Sequence, residues 1–134
     1  MVTGDIDGNG LDDVIIDFGS DGIWLRMNNS GLVQLDTRSP ESMVTGDIDG
    51  NGQDDVIIDF GSDGIWQWMN NSALVKLHPL SPESMVTGDI DGSGQDDVII
   101  DFGAPYGIWV RMNNSTWVHL HSISPDSMVT GNID

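Results

Sequence analysis

The stretch GDIDGNGLDD at residues 4–13 sets Asp5, Asp7, Asp12 and Asp13 among three glycines, and close copies begin at Gly46 (GDIDGNGQDD) and Gly88 (GDIDGSGQDD). Carboxylates at this density repel one another, so the loop reads as a seat for a cation. With Asp5 as position 1, oxygen-bearing side chains fall at positions 1, 3, 5 and 9, which are Asp5, Asp7, Asn9 and Asp13. Gly10 at position 6 permits a sharp turn, and Leu11 at position 7 offers a backbone carbonyl. Alternate side chains on a tight loop converge on one centre. Hard oxygen donors without Cys or His favour Ca²⁺, which takes about six to eight oxygens in flexible geometry, over Mg²⁺ with its stricter octahedron. An EF-hand begins alike, but it needs a Glu at position 12 and flanking helices. Position 12 here is Ile16, inside an apolar run, so that reading fails.

Catalysis finds little support. A glycosidase pair needs one acid and one base in different environments across a cleft, whereas these aspartates are equivalent members of repeated loops. His78, His119 and His121 lie in or just past the last strand-like segment of a repeat, with no Ser or Cys nucleophile motif nearby, and read as solvated strand residues. The expected protein is not an enzyme and has no catalytic residues.

Charge narrows the partners. The 134 residues carry 4 Lys+Arg against 22 Asp+Glu, a formal charge of −18, and no Cys. Such a surface repels phosphate backbones, so nucleic acid is not an expected partner. No apolar run approaches the ~20 residues of a membrane span, and Met1-Val2-Thr3-Gly4 does not read as a signal peptide. Without cysteines there is no disulfide framework from which to read the redox compartment.

The elements that must position the loops come from internal repetition. Residues 1–42, 43–84 and 85–127 are near copies, the third with one inserted residue, and MVTGNID at 128–134 opens a fourth. Each copy holds four short strand signals: Met1–Gly4, Asp13–Phe18, Gly22–Met27 and Leu32–Leu35 in the first. Gly19–Gly22, Asn28–Gly31 and Ser39–Ser42 supply turn chemistry between and after them. Asn28-Asn29-Ser30, Asn70-Asn71-Ser72 and Asn113-Asn114-Ser115 also fit the glycosylation sequon, but turn preference accounts for them. Four antiparallel strands repeated in tandem are the plan of a β-propeller, so the expected fold is all-β, with three blades and one extra strand. A lone sheet of this kind is apolar on both faces, so the repeats must stack.

A two-residue turn between Gly19 and Gly22 would set Phe18 opposite Ile23, Asp17 opposite Trp24 and Ile16 opposite Leu25. Asp17 and Trp24 would then share a face, as would Asp59 with Trp66 and Asp101 with Trp109. Such a pair is either an inter-blade hydrogen bond or one wall of a ligand pocket.

The pattern D-x-D-x-N-G-x-x-D, followed by a hydrophobic strand and Phe18-Gly19, with Phe102-Gly103-Ala104-Pro105 in the third repeat, resembles the FG-GAP repeats of integrin α-subunit propellers and related fungal and bacterial propeller lectins. The resemblance covers the chain from end to end. It implies one Ca²⁺ per complete repeat, held by Asp5, Asp7, Asn9 and Asp13; by Asp47, Asp49, Asn51 and Asp55; and by Asp89, Asp91, Ser93 and Asp97. Leu11, Gln53 and Gln95 would lend carbonyls, and Asp12, Asp54 and Asp96 would lie behind the ligands or face solvent. Ser93 departs from Asn and is a weaker donor. The last repeat has Asn132 at position 1 and stops at Asp134, so no fourth site is expected. The resemblance also implies an extracellular, cell-surface or periplasmic setting. Its lectin members make carbohydrate one expected partner, with protein adhesion or a purely structural role as the alternatives. Three blades fall short of the about four to eight of a single ring. Self-association of two or three chains, or membership of a longer array, is therefore expected.

Overall fold

The structure is a computed structural model in which residues 1–133 are described; Asp134, the last residue of the expected fourth repeat, lies outside them. Twelve strands among the described residues form three four-stranded antiparallel sheets, each with its strands in chain order. The first sheet holds β1 (Val2–Gly4), β2 (Asp13–Asp17), β3 (Ile23–Arg26) and β4 (Leu32–Asp36). The second holds β5 (Ser42–Gly46), β6 (Asp55–Asp59), β7 (Ile65–Met69) and β8 (Ala73–His78). The third holds β9 (Ser84–Gly88), β10 (Asp97–Asp101), β11 (Ile108–Met112) and β12 (Thr116–His121). No helix among the described residues is long and apolar enough to cross a membrane.

Local chemistry explains each hairpin. The β3–β4 turn places Asn28 at φ 52° and Asn29 at φ 50°, and the pairs Asn70-Asn71 and Asn113-Asn114 repeat this. Two consecutive left-handed residues are what a tight hairpin turn requires, and Asn tolerates them better than most. The β2–β3 connection differs from the sequence expectation. Residues 18–22 form the link, with a 3-10 turn at Gly19–Asp21, and Phe18 N–H donates to Gly22 O at 2.9 Å. The observed pairs are Asp17 with Ile23, Ile16 with Trp24 and Ile15 with Leu25. This one-residue slip moves every side chain to the other face. Asp17 therefore shares a face with Ile15, Ile23 and Leu25, while Trp24 lies on the opposite one with Val14, Ile16 and Arg26. Asp59 and Trp66, and Asp101 and Trp109, are separated in the same way.

With that register, each sheet presents apolar side chains on both faces. Ile15, Ile23 and Leu25 of the first sheet pack with Val56, Ile58 and Trp66 of the second, and Ile57 and Ile65 of the second pack with Val98 and Ile100 of the third. β6 and β10 are buried along their whole lengths, whereas β2 is only partly so. At the start of each seam Ile6 and Ile48 are fully buried, whereas the equivalent Ile90 is 48% exposed. Inner strands are bound in series: Thr45 Oγ1 donates to Thr3 O, Thr87 Oγ1 to Thr45 O and Thr130 Oγ1 to Thr87 O, each at 2.6 Å. The last of these bonds sets residues near 130 beside β9, where a fourth first strand would lie, although residues 127–133 form no strand.

Candidate metal centre

The acidic loops join β1 to β2, β5 to β6 and β9 to β10, at the same end of each sheet. Within the first, Asp5 Oδ1 accepts from Asn9 N–H at 3.0 Å and Asp5 Oδ2 from Gly10 N–H at 2.7 Å. Asp7 Oδ1 takes the same Asn9 N–H at 3.2 Å, and Asn9 Oδ1 accepts from Leu11 N–H at 2.8 Å. Gly10, at φ 87°, makes the reversal that closes this coil of backbone around its own carboxylates. Asp13 is the first residue of β2 and is buried. Its Oδ2 accepts from Ile6 N–H at 3.1 Å and its Oδ1 from Asn28 N–H at 3.0 Å, so one carboxylate pins the loop to its sheet and to the β3–β4 turn.

The result is convergence. Carboxylate oxygens of Asp5, Asp7 and Asp13 lie within 4.8 Å of one another, as do those of Asp47, Asp49 and Asp55, and of Asp89, Asp91 and Asp97. Among the described residues the only ion pairs join Arg38 to Asp36 and Asp63, so no base neutralises these clusters. Burial is the main force pushing the Asp55 carboxyl up to about 6, with Asp49 and Asp47 adding repulsion. Asp54 and Asp96 are raised mainly by burial too. An all-oxygen, base-free cluster of three carboxylates fits a hard divalent cation by the chemistry of its donors.

Two sets of supporting contacts go beyond the sequence reading. The first is made by Asn28, Asn70 and Asn113. Their side-chain amides donate to Asp7 Oδ2 at 2.6 Å, Asp49 Oδ2 at 2.9 Å and Asp91 Oδ2 at 2.8 Å. Their carbonyls accept from the side chains of Asn9, Asn51 and Ser93. Turn preference explains their backbone. Their recurrence at every repeat was the signal of a second role. Here Ser93 keeps the same hydrogen bond that Asn9 and Asn51 make.

The second set grips across sheets. Asp54 Oδ2 accepts from Asp5 N–H at 2.9 Å while Asp54 N–H donates to Asp5 O at 2.7 Å, and Asp96 does the same with Asp47 at 3.1 and 2.8 Å. Gln53 Nε2 donates to Asp7 O at 3.1 Å and Gln95 Nε2 to Asp49 O at 2.7 Å. Leu11, at the equivalent position of the first loop, is exposed. Position 8 thus ties each loop to the one before it.

The remaining candidates fall elsewhere. Asp59 and Asp101, buried at the ends of β6 and β10, accept from Gly61 N–H at 2.8 Å and Gly103 N–H at 2.9 Å, and also from Ser81 and Ser124 hydroxyls; the equivalent Asp17 is exposed. Trp24, Trp66 and Trp109 donate their indole N–H to Asp21 O, Asp63 O and Tyr106 O respectively, in their own hairpins, not to those aspartates. His78 is half-buried rather than solvated, its ring packed at a tilt against Phe102 with centroids 4.6 Å apart, and His119 packs at a tilt against Trp109 at 4.6 Å. No protein-family model and no curated protein matches the chain.

Proposed function

We propose that each loop holds one Ca²⁺ and that the chain is a non-enzymatic binding module of β-propeller type, akin to FG-GAP repeats. The observation that carries this reading is the threefold convergence of carboxylates within 4.8 Å with no base beside them. Asp5, Asp7 and Asp13 and their equivalents would hold the ion, with Asn9, Asn51 and Ser93 and the carbonyls of Leu11, Gln53 and Gln95 completing the oxygen set. Asp13 already accepts two N–H groups and keeps lone pairs to spare, so ion and scaffold do not compete for it. The bound ion neutralises charge that otherwise opposes the folded loop. Side-by-side first strands, joined by the threonine bonds, support a radial arrangement of sheets about an axis near β1, β5 and β9. An extracellular or periplasmic setting, where calcium is plentiful, belongs with this reading.

Titration calorimetry on chelator-stripped protein, with Ca²⁺ and then Mg²⁺, tests the proposal. The expected result is about three Ca²⁺ per chain, weaker Mg²⁺ binding, and a melting temperature that drops in excess EDTA, since a ligand of the native state stabilises it by mass action. No binding heat together with an unmoved melting curve would refute it.

Glycan binding is the second reading. What favours it is the exposed hollow where Phe18 and Trp24 meet Asp21, Gln34 and Thr37, an aromatic surface beside polar groups. Its earlier support, an Asp and a Trp on one face, is gone. A glycan array probed with and without chelator decides between this reading and protein adhesion.

A further inference from the structure

The outer end of each seam between sheets is built from the same six repeat positions. At the first seam they hold Asp36, Arg38, Phe60, Asp63, Trp66 and Leu74; at the second, His78, Leu80, Phe102, Tyr106, Trp109 and Trp117. Asp63 and Tyr106 correspond because each lends its carbonyl to the indole N–H of the following Trp, at 3.1 and 3.0 Å. The first seam is filled from within. Arg38 lays its guanidinium 3.9 Å from the Phe60 ring centroid and 5.1 Å from that of Trp66, with Asp36 Oδ2 at 2.9 Å and Asp63 Oδ2 at 3.6 Å.

At the second seam Leu80 replaces Arg38, and the same place is a hollow of about 240 Å³. Both carboxylates are replaced as well, by His78 and Tyr106. Rings now form the walls: His78 lies 4.6 Å from Phe102 and 5.4 Å from Trp117, centroid to centroid. His78 Nδ1 accepts from Leu80 N–H at 3.2 Å, and burial pushes the imidazole pKa down, so the ring is a neutral wall at pH 7. The Trp109 indole N–H is already committed to Tyr106 O.

We propose that this hollow binds a weakly hydrated organic cation, a quaternary ammonium head such as choline or a trimethylated lysine carries. The neighbouring seam shows that this Phe and Trp pair seats a cation in this fold. Faces of aromatic rings attract cations, most strongly where water is excluded. With the two carboxylates gone, the N–H groups of a guanidinium or simple ammonium would lose partners and bear a desolvation cost. A head without N–H groups bears none. The formal charge of −18 draws cations to the whole surface.

The test titrates choline chloride, at constant ionic strength and in calcium-containing buffer, into the 134-residue chain while the indole NMR signals are followed. Its uncharged carbon isostere, 3,3-dimethylbutan-1-ol, and N-acetylglucosamine are titrated in parallel. Choline should shift the Trp109 and Trp117 signals saturably, and the isostere should bind about tenfold more weakly. Leu80→Arg, which copies Arg38, should abolish the shifts by filling the seat. Trp117→Leu, which copies Leu74, should weaken binding several-fold; each variant uses a residue this fold already accepts at that position. No saturable shift, equal affinity for the isostere, tighter binding of the sugar, or binding that survives both substitutions would overturn the proposal.

Discussion

Each residue at position 9 of a loop belongs to the sheet as much as to the acidic cluster. Asp55 is fully buried and accepts from Ile48 N–H at 3.2 Å and Asn70 N–H at 2.8 Å. In Asp55→Ala both donors lose their acceptor, which should cost about 2–4 kcal/mol in urea unfolding even without calcium. Asp12→Ala, at an exposed position, should stay within about 0.5 kcal/mol of wild type. Equal losses would mean that the clusters matter only as charge. The pair of Asp36 and Arg38 makes a pH prediction. Hydrogen bonds from Arg38 hold the Asp36 carboxyl below its ordinary 3.8 despite partial burial. A group depressed in the folded state contributes stability that is whole above its unfolded pKa and is lost as pH falls through the folded one. The gap in melting temperature between wild type and Asp36→Asn should therefore be constant at neutral pH and shrink in acid below 3.8. A gap that persists undiminished at about pH 2 would show that the pair acts through packing rather than charge.

Between elements, the decisive contacts run from one sheet to the next. A Cβ on Gly46 would lie 2.8 Å from Asp96 Oδ2 and 3.1 Å from Thr87 Cβ, both in the following repeat. Gly46→Ala should destabilise by about 1–3 kcal/mol through overpacking. Gly131→Ala, with nothing within 4 Å of the added atom, should be near neutral by thermal melting. These contacts also mark where the sequence stops being legible. Strands, turns and acidic loops followed from β-branched runs, Asn-Asn pairs and carboxylate spacing, because each is local. Gly19 and Gly22 resembled a two-residue turn, yet Phe18 and Gly22 close the hairpin one residue further out, and the slip separated Asp17 from Trp24. The grip of Gln53 and Asp54 on the first loop lay hidden for another reason: its partners stand 46 and 49 residues away. Only the change from Leu11 to Gln53 and Gln95 hinted at it.

At its two ends the molecule exposes particular apolar side chains whose equivalents are buried at the seams. Phe60 is 7% exposed but Phe18 is 47%, and Ile90 stands at 48% where Ile6 and Ile48 are covered. The 134-residue chain should therefore self-associate at micromolar concentration, joining the face of its third sheet to the first sheet of another copy. Light scattering across a concentration series checks this, and Phe18→Glu should shift the equilibrium toward monomer. A wild-type chain that stays monomeric throughout would refute it. The extra residue of the third repeat falls in the β10–β11 link, and Asp101 still faces Ile108 just as Asp17 faces Ile23. An inserted codon there is absorbed by a loop, while gain or loss of a whole unit restores the same threonine bond and the same aspartate grip at the new junction. Such a gene can lengthen or shorten by unequal crossing-over without inventing a contact, and selection then acts on residues such as Leu80 that distinguish one copy from the next.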